Sequence, residues 1–253
     1  MAARDVTPRY DAIGRGYAAR RREDPELEAR IVAALGEART VVNVGAGAGS
    51  YEPRDRHVVA VEPSDVMAAQ RGPERVPAIR AGAGALPLRD DAVDAAMAIM
   101  TVHHWDADAE RGVRELRRVA RGPVVISTFD PQVSGAMWLM ADYLTEVAEM
   151  DRRICPAPET IAGWLGGAEV QVVPVARDTP DQTLLSFWAH PERVLDAGAR
   201  AATSGFARQP PAVVERVVRD VGRDLASGAW DARHGHLRRL DAYDAGLRLV
   251  VAP

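Results

Sequence analysis

Residues 40–49 read TVVNVGAGAG: a short apolar run that breaks into glycines at alternate positions, Gly45, Gly47 and Gly49. Glycine carries no Cβ, so a strand ending in such a turn exposes bare backbone amides to a ligand. Seventeen residues after Gly45, a second apolar run, VVAV, ends on Glu62. A glycine turn with an acid at the tip of the neighbouring strand describes a nucleotide or nucleoside pocket, because a carboxylate there can accept two hydrogen bonds from ribose hydroxyls.

The pattern continues outward from this stretch. Pro25 opens PELEARIVAALGEA, with Leu27, Ile31, Val32 and Leu35 on one helical stripe. Val41–Val44 and Val58–Glu62 read as the first two strands, with SYEPRDRH between them too short, and too interrupted by Pro53, for a full helix. Ser64 is placed to cap a short helix over SDVMAAQR. Further strands are expected around Val76–Ala81, over Ala95–Val102 ending at His103, His104 and Trp105, and over Pro123–Phe129, with a helix across residues 106–120. Strands alternating with helices predict an α/β fold with a mostly parallel, doubly wound sheet, whose ligands sit at the carboxyl ends of the strands.

The second half reads differently. Residues 131–150 carry Met137, Trp138, Leu139, Met140, Tyr143 and Leu144 and predict one bulky apolar helix. A sixth strand is expected at Val170–Val175 and a last one at Leu247–Ala252, with largely helical text between Arg177 and Asp244. The expected organisation is one domain over residues 1–253. Residues 25–130 form its cofactor-binding half, and residues 131–150 and 180–244 form a substrate lid.

The 253 residues carry a net charge of −4 and no lysine, so all 32 basic side chains are arginines. That balance, without a basic run, argues against a nucleic-acid partner. A single cysteine, Cys155, can form neither an internal disulfide nor a cysteine metal cluster, and no apolar run reaches membrane-spanning length. The expectation is a cytoplasmic protein with no membrane partner. His190, His234 and His236 show no spacing to acids that suggests a metal site, so no metal is expected.

Three segments in order, NVGAGAGSYEP, VVAVEPS and GALPLRDDAVDAAMAIMTVHHW, resemble the class I S-adenosylmethionine-dependent methyltransferases. Within them the chain is most similar to the small-molecule group that includes ubiquinone/menaquinone-biosynthesis and trans-aconitate type enzymes. The resemblance covers residues 7–130. It implies a Rossmann-like, seven-stranded, mostly parallel sheet with helices on both faces, S-adenosylmethionine as cofactor and a small-molecule methyl acceptor.

The resemblance also implies site residues. Gly45, Ala46 and Gly47 line the methionine part of the cofactor, beside Asn43. Glu62 holds the ribose, and Pro63 and Met67 flank the adenine. Gly82 and Ala83 meet the adenine edge, and Thr101 offers its carbonyl to the methionine ammonium. Tyr17 and Arg21 match a Tyr-x-x-x-Arg pattern that covers the cofactor. His103 and His104 stand beside the expected sulfonium and suit proton removal from the acceptor. Trp105, Trp138, Tyr143 and Trp188 are the candidate substrate-pocket side chains. The family has an acid where Asn43 stands and an acidic Gly-Asp-Ala-Glu loop where this chain reads Ala81-Gly82-Ala83-Gly84.

Two other readings stay open. A nicotinamide-dependent oxidoreductase shares the glycine turn, although its fingerprint wants a third glycine where Ser50 stands. A non-catalytic module that binds S-adenosylmethionine is compatible with the missing carboxylates.

Overall fold

A computed structural model describes residues 22–253. Its strands are β1 Thr40–Val44, β2 His57–Val61, β3 Ala78–Ile79, β4 Ala95–Ile99, β5 Val124–Phe129, β6 Glu169–Val172, β7 Val175–Ala176, β8 Ala242–Tyr243 and β9 Leu247–Ala252. Seven of them form one sheet in the order β3-β2-β1-β4-β5-β9-β6. The neighbours from β3 to β5 pair parallel, while β9 runs antiparallel between β5 and β6. β7 and β8 pair separately, because Pro174 has no N–H to continue the ladder of β6.

Alternation along the central strands explains how both faces are covered. Val41, Met97, Val125 and Leu249 face one side, against Leu27 and Ile31 of helix α1 (Pro25–Ala34) and Leu35 just after it. Val42, Ala96, Val124 and Val250 face the other. There they meet Val113 and Leu116 of α2 (Ala109–Val119) and Ile161 of α3 (Pro158–Trp164). Asp24 caps α1, accepting from the amides of Glu26 and Leu27. Ser64 caps a single helical turn, Asp65–Ala68, as its sequence suggests.

Several boundaries differ from the sequence reading. β3 shrinks to two residues, because Pro77 removes a donor just before it. β4 stops at Ile99: Met100 turns to φ +52° and Val102–His104 winds into a 3₁₀ turn. Thr101 and the two histidines therefore stand on a turn beyond the strand. The expected helix over 131–150 is broken into α4 (Pro131–Gly135), a π-helical turn (Leu139–Tyr143) and α5 (Thr145–Ile154). The reason lies in the crowd of apolar residues. Met137, Trp138, Leu139 and Met140 are consecutive and all buried, which one stripe of a regular α-helix cannot accommodate. The wider turn, closed by Leu144 N–H donating to the Leu139 carbonyl at 2.8 Å, brings each of them into a core.

That core is separate from the sheet. It joins Trp138, Leu139, Tyr143, Phe187, Trp188 and Trp230 beneath α6 (Ala197–Ala201), α7 (Ser204–Ala207), α8 (Pro211–Ala226) and α9 (Ala229–His234). It lies over the carboxyl ends of β4 and β5, with Met100 and Phe129 packed against it.

Candidate functional site

The glycine turn is tied to the tip of β2. Gly45 and Ala46 both donate to the Val61 carbonyl, at 2.8 and 3.0 Å. Gly45 has φ +71°, and a Cβ there would lie 2.1 Å from Thr101 Oγ1, so a side chain is excluded twice over. Gly47 donates its N–H to Glu62 Oε2 and Ser64 donates to Oε1, each at 2.8 Å. Glu62 is only 6 % exposed. Burial raises its pKa, against the opposing pull of the Ser64 and Gly47 amides and of Arg80 and Arg71. Met67 is buried with its Cε against Gly47, and Pro63 is exposed beside it.

Gly82 is open, whereas Ala83 is buried where Gly112 of α2 lets it and Trp105 approach closely. Trp105 thus packs between α2 and the Gly82–Ala83 loop. Asp108 comes up beside Gly84. The Thr101 carbonyl accepts the His104 N–H at 2.8 Å and closes the turn after β4. Tyr17 and Arg21 lie outside the described residues.

Behind the glycine turn lies an ion pair that sequence reasoning did not find. Asn43 Nδ2 donates to Glu52 Oε1 at 3.1 Å. Arg71 Nη2 donates to both oxygens of Glu52, at 2.9 and 2.8 Å, while Nη1 reaches the Gly47 carbonyl at 3.2 Å. The Arg71 and Glu52 side chains are 4 % and 2 % exposed. Glu52 belongs to the loop that replaces the helix usual after such a turn. Its carboxylate brings a buried acid close to Asn43, whose own position lacks one.

His103 is buried, its ring edge-on to Phe129 at 5.1 Å and 3.8 Å from the ring of His104. It lines a cleft, partly open to solvent, between the end of β4 and the helices that follow β5, with Met100, Phe129 and Met140 as its apolar wall. Asp151 of α5 and Arg208 after α7 also line it. Burial outweighs the attraction of Arg208 and pushes the Asp151 carboxyl up to about 6. The sequence held one pointer to Asp151: it shares a helical stripe with Val147 and Met150.

Of the four candidate substrate residues, three are inside the helical core beyond the sheet instead of on the cleft wall. Trp138 donates its indole N–H to the Trp188 carbonyl at 2.9 Å and meets Tyr143 and Trp230 edge-on, at 5.8 and 5.3 Å. Tyr143 donates its hydroxyl to Asp224 at 2.8 Å, and Trp188 is fully buried. Trp105, the fourth, belongs to the Gly82–Ala83 loop. Among the described residues, no group of three His, Cys, Asp or Glu side chains could hold a metal ion.

The arrangement fits S-adenosylmethionine: a glycine turn at Gly45 packed so tightly on Thr101 that only glycine fits, a buried carboxylate at the β2 tip, and a turn at the end of β4 facing a cleft. A family model described as a methyltransferase domain matches residues 42–124. A protein from Anabaena variabilis, described as a methyltransferase from an antibiotic biosynthesis pathway, is 28 % identical in sequence. The match covers 92 % of this chain and 98 % of that one, with a TM-score of 0.84. The geranyl diphosphate C-methyltransferase of Streptomyces coelicolor, solved with magnesium, geranyl-S-thiolodiphosphate and S-adenosyl-L-homocysteine, is more distant. It is 15 % identical over 90 % of this chain and 75 % of that one, with a TM-score of 0.49. No curated protein matches the chain. Methyl transfer, not nicotinamide-dependent hydride transfer, is what the domain match and the Anabaena structure support. This chain is an S-adenosylmethionine-dependent methyltransferase.

Proposed function

We propose that the methyl acceptor is a small molecule held in the cleft between the end of β4 and the lid. The single observation that carries this reading is the cleft itself. Met100, Phe129 and Met140 give it the apolar wall that small-molecule sites use, and His103, Asp151 and Arg208 add the few polar groups that fix an orientation. In this reading residues 25–130 are the cofactor half of one domain, and residues 131–150 and 180–244 are the lid.

When bound, S-adenosylmethionine supplies an electrophilic methyl group on a sulfonium. Glu62 accepts from the ribose hydroxyls, using lone pairs not taken by Gly47 and Ser64. Gly45, Ala46 and Gly47 give backbone room to the methionine portion, and the Thr101 carbonyl accepts from its ammonium. Asn43 acts from behind the turn, through Glu52. Pro63, Met67, Gly82 and Ala83 enclose the adenine. His103, at the cleft wall, takes the proton that an acceptor hydroxyl, amine or acidic carbon loses, with the His104 ring tilted against it. Orientation supplies much of the rate of an in-line displacement. Trp138, Tyr143 and Trp188 act at one remove, by fixing the π-helical turn that carries Met140. The lone buried Cys155 suits a reducing, cytoplasmic setting.

The test is to incubate the enzyme with methyl-labelled S-adenosylmethionine and separated fractions of small molecules, RNA and protein. Label is expected in the small-molecule fraction. Label confined to RNA or protein overturns the proposal.

A further inference from the structure

The cleft mixes apolar side chains with the hydroxyls of Ser134, Thr183, Thr203 and Ser204, and Asp151 is its one carboxylate. On α5, Val147, Met150 and Asp151 occupy positions i, i+3 and i+4 and so share the face that lines the cleft. The opposite wall comes from α7, pressed close: a Cβ on Gly205 would lie 2.7 Å from Leu184 Cδ2 and 3.6 Å from Val147 Cγ1. Among the described residues, no donor is hydrogen-bonded to the Asp151 carboxyl.

The other charged or titratable groups lining the cleft are His103, from the turn after β4, and Arg208, beyond α7. Arg208 has interactions of its own, and its charge lowers the Asp151 pKa by less than burial raises it. A largely desolvated carboxylate without a hydrogen-bond donor is unfavourable until something brings the donor to it.

We propose that Asp151 is a specificity-determining residue and that the cleft selects acceptors carrying a protonated amine on an apolar body, with the ammonium docked on the Asp151 carboxylate. The inference rests on the small-molecule reading above and narrows it to a substrate class. An ammonium has no free lone pair, so the docked nitrogen is a handle and not the atom methylated. The nucleophile is a second group on the same molecule, presented toward His103. Asp151 is thereby a recognition residue, while the proton lost from the nucleophile goes to His103.

The proposal is tested on the full chain saturated with S-adenosylhomocysteine, using matched pairs that differ only in the polar group. These are phenethylamine against phenethyl alcohol, and cyclohexylethylamine against cyclohexylethanol. Calorimetry at about pH 8 is expected to show each amine binding at least about tenfold tighter than its alcohol, as a charge-assisted hydrogen bond requires. Asp151→Asn is expected to abolish the preference. In the wild type the preference is expected to fade as the pH drops through about 6 and the carboxylate takes up a proton. That pH series gives the same answer if the variant does not fold. Equal binding of amine and alcohol, binding of neither, or a preference that survives in Asp151→Asn overturns the proposal. If S-adenosylhomocysteine binds normally while the amine preference is missing, this inference alone falls. Failure to bind S-adenosylhomocysteine strikes the cofactor reading first, and this proposal with it.

Discussion

Asn43 hands its side-chain N–H to Glu52 at 3.1 Å, so the residue that stands where an acid was expected is itself bonded to a buried acid nine positions on. Glu52 is held in turn by Arg71, which also binds the Gly47 carbonyl. The loop after β1, the glycine turn and the segment after β2 are thereby fastened through one ion pair. Removing one partner of a buried pair strands the other charge and costs roughly 3–5 kcal/mol. Arg71→Met is expected to lower unfolding stability by that amount in urea melts. The double change Arg71→Met with Glu52→Gln is expected to recover part of it. Equal loss in the single and double variants would show that shape, not charge, matters there.

The two glycines of the turn are expected to differ in what they tolerate. Both have positive φ, but a Cβ on Gly45 meets Thr101 Oγ1 at 2.1 Å, whereas on Gly47 it meets only the flexible tip of Met67 at 3.3 Å. Gly47→Ala carries mainly the backbone strain, about 1–3 kcal/mol. Gly45→Ala adds a collision with the Thr101 side chain on the turn after β4. Gly45→Ala is therefore expected to be the less stable variant in thermal melts and the weaker binder of S-adenosylhomocysteine. The reverse order would mean that Thr101 moves aside readily.

Trp138 is expected to act on stability before it acts on catalysis. Its ring is buried against Tyr143 and Trp230, and its N–H is satisfied by the Trp188 carbonyl. Truncating a large buried aromatic costs roughly 3–5 kcal/mol, and Trp138→Ala should show this in denaturant melts. Where the variant folds, turnover is expected to fall while affinity for S-adenosylhomocysteine stays near normal. A fully stable variant would place the ring outside the core.

Asp151 gives a pH dependence of definite sign. Its folded pKa is raised from 3.8 to about 6, so between those values the folded state binds more protons than the unfolded chain. Stability from this group therefore rises as the pH falls from about 6 toward 4, and the penalty for the buried charge is complete above about 6. Asp151→Asn is expected to stabilise the protein by about 1–3 kcal/mol near pH 8 and by little near pH 4. Urea melts at both pH values check this. A variant less stable than the wild type at the higher pH would show that the carboxylate has a favourable partner.

What the sequence disclosed, and what it hid, follows the range of the interactions involved. The strands, the glycine turn and Glu62 were legible because an apolar run, a turn and the next strand tip are set by neighbours within a few residues. The curtailed helix after Gly49 was legible for the same reason, through Pro53. The Glu52–Arg71 pair was not, because charged residues are read as surface until a fold brings two of them together inside. The breaks in 131–150 were hidden because periodicity reports a stripe, and here consecutive residues are buried on several sides at once. Trp138, Tyr143 and Trp188 were assigned to the substrate by their aromatic character, whereas packing places them in the helical core beyond the sheet. Asp151 was overlooked because its burial depends on α7, more than fifty residues further along.

The central claim is that the turn at Gly45–Gly47 and the carboxylate of Glu62 hold S-adenosylmethionine. Titration calorimetry of S-adenosylhomocysteine and NAD into the wild type and Glu62→Ala tests it most directly. The expected result is one-site binding of S-adenosylhomocysteine, none of NAD, and a loss of roughly ten- to a hundredfold in the variant, about 1.5–3 kcal/mol. Binding of NAD in place of S-adenosylhomocysteine, or unchanged affinity in Glu62→Ala, would contradict it.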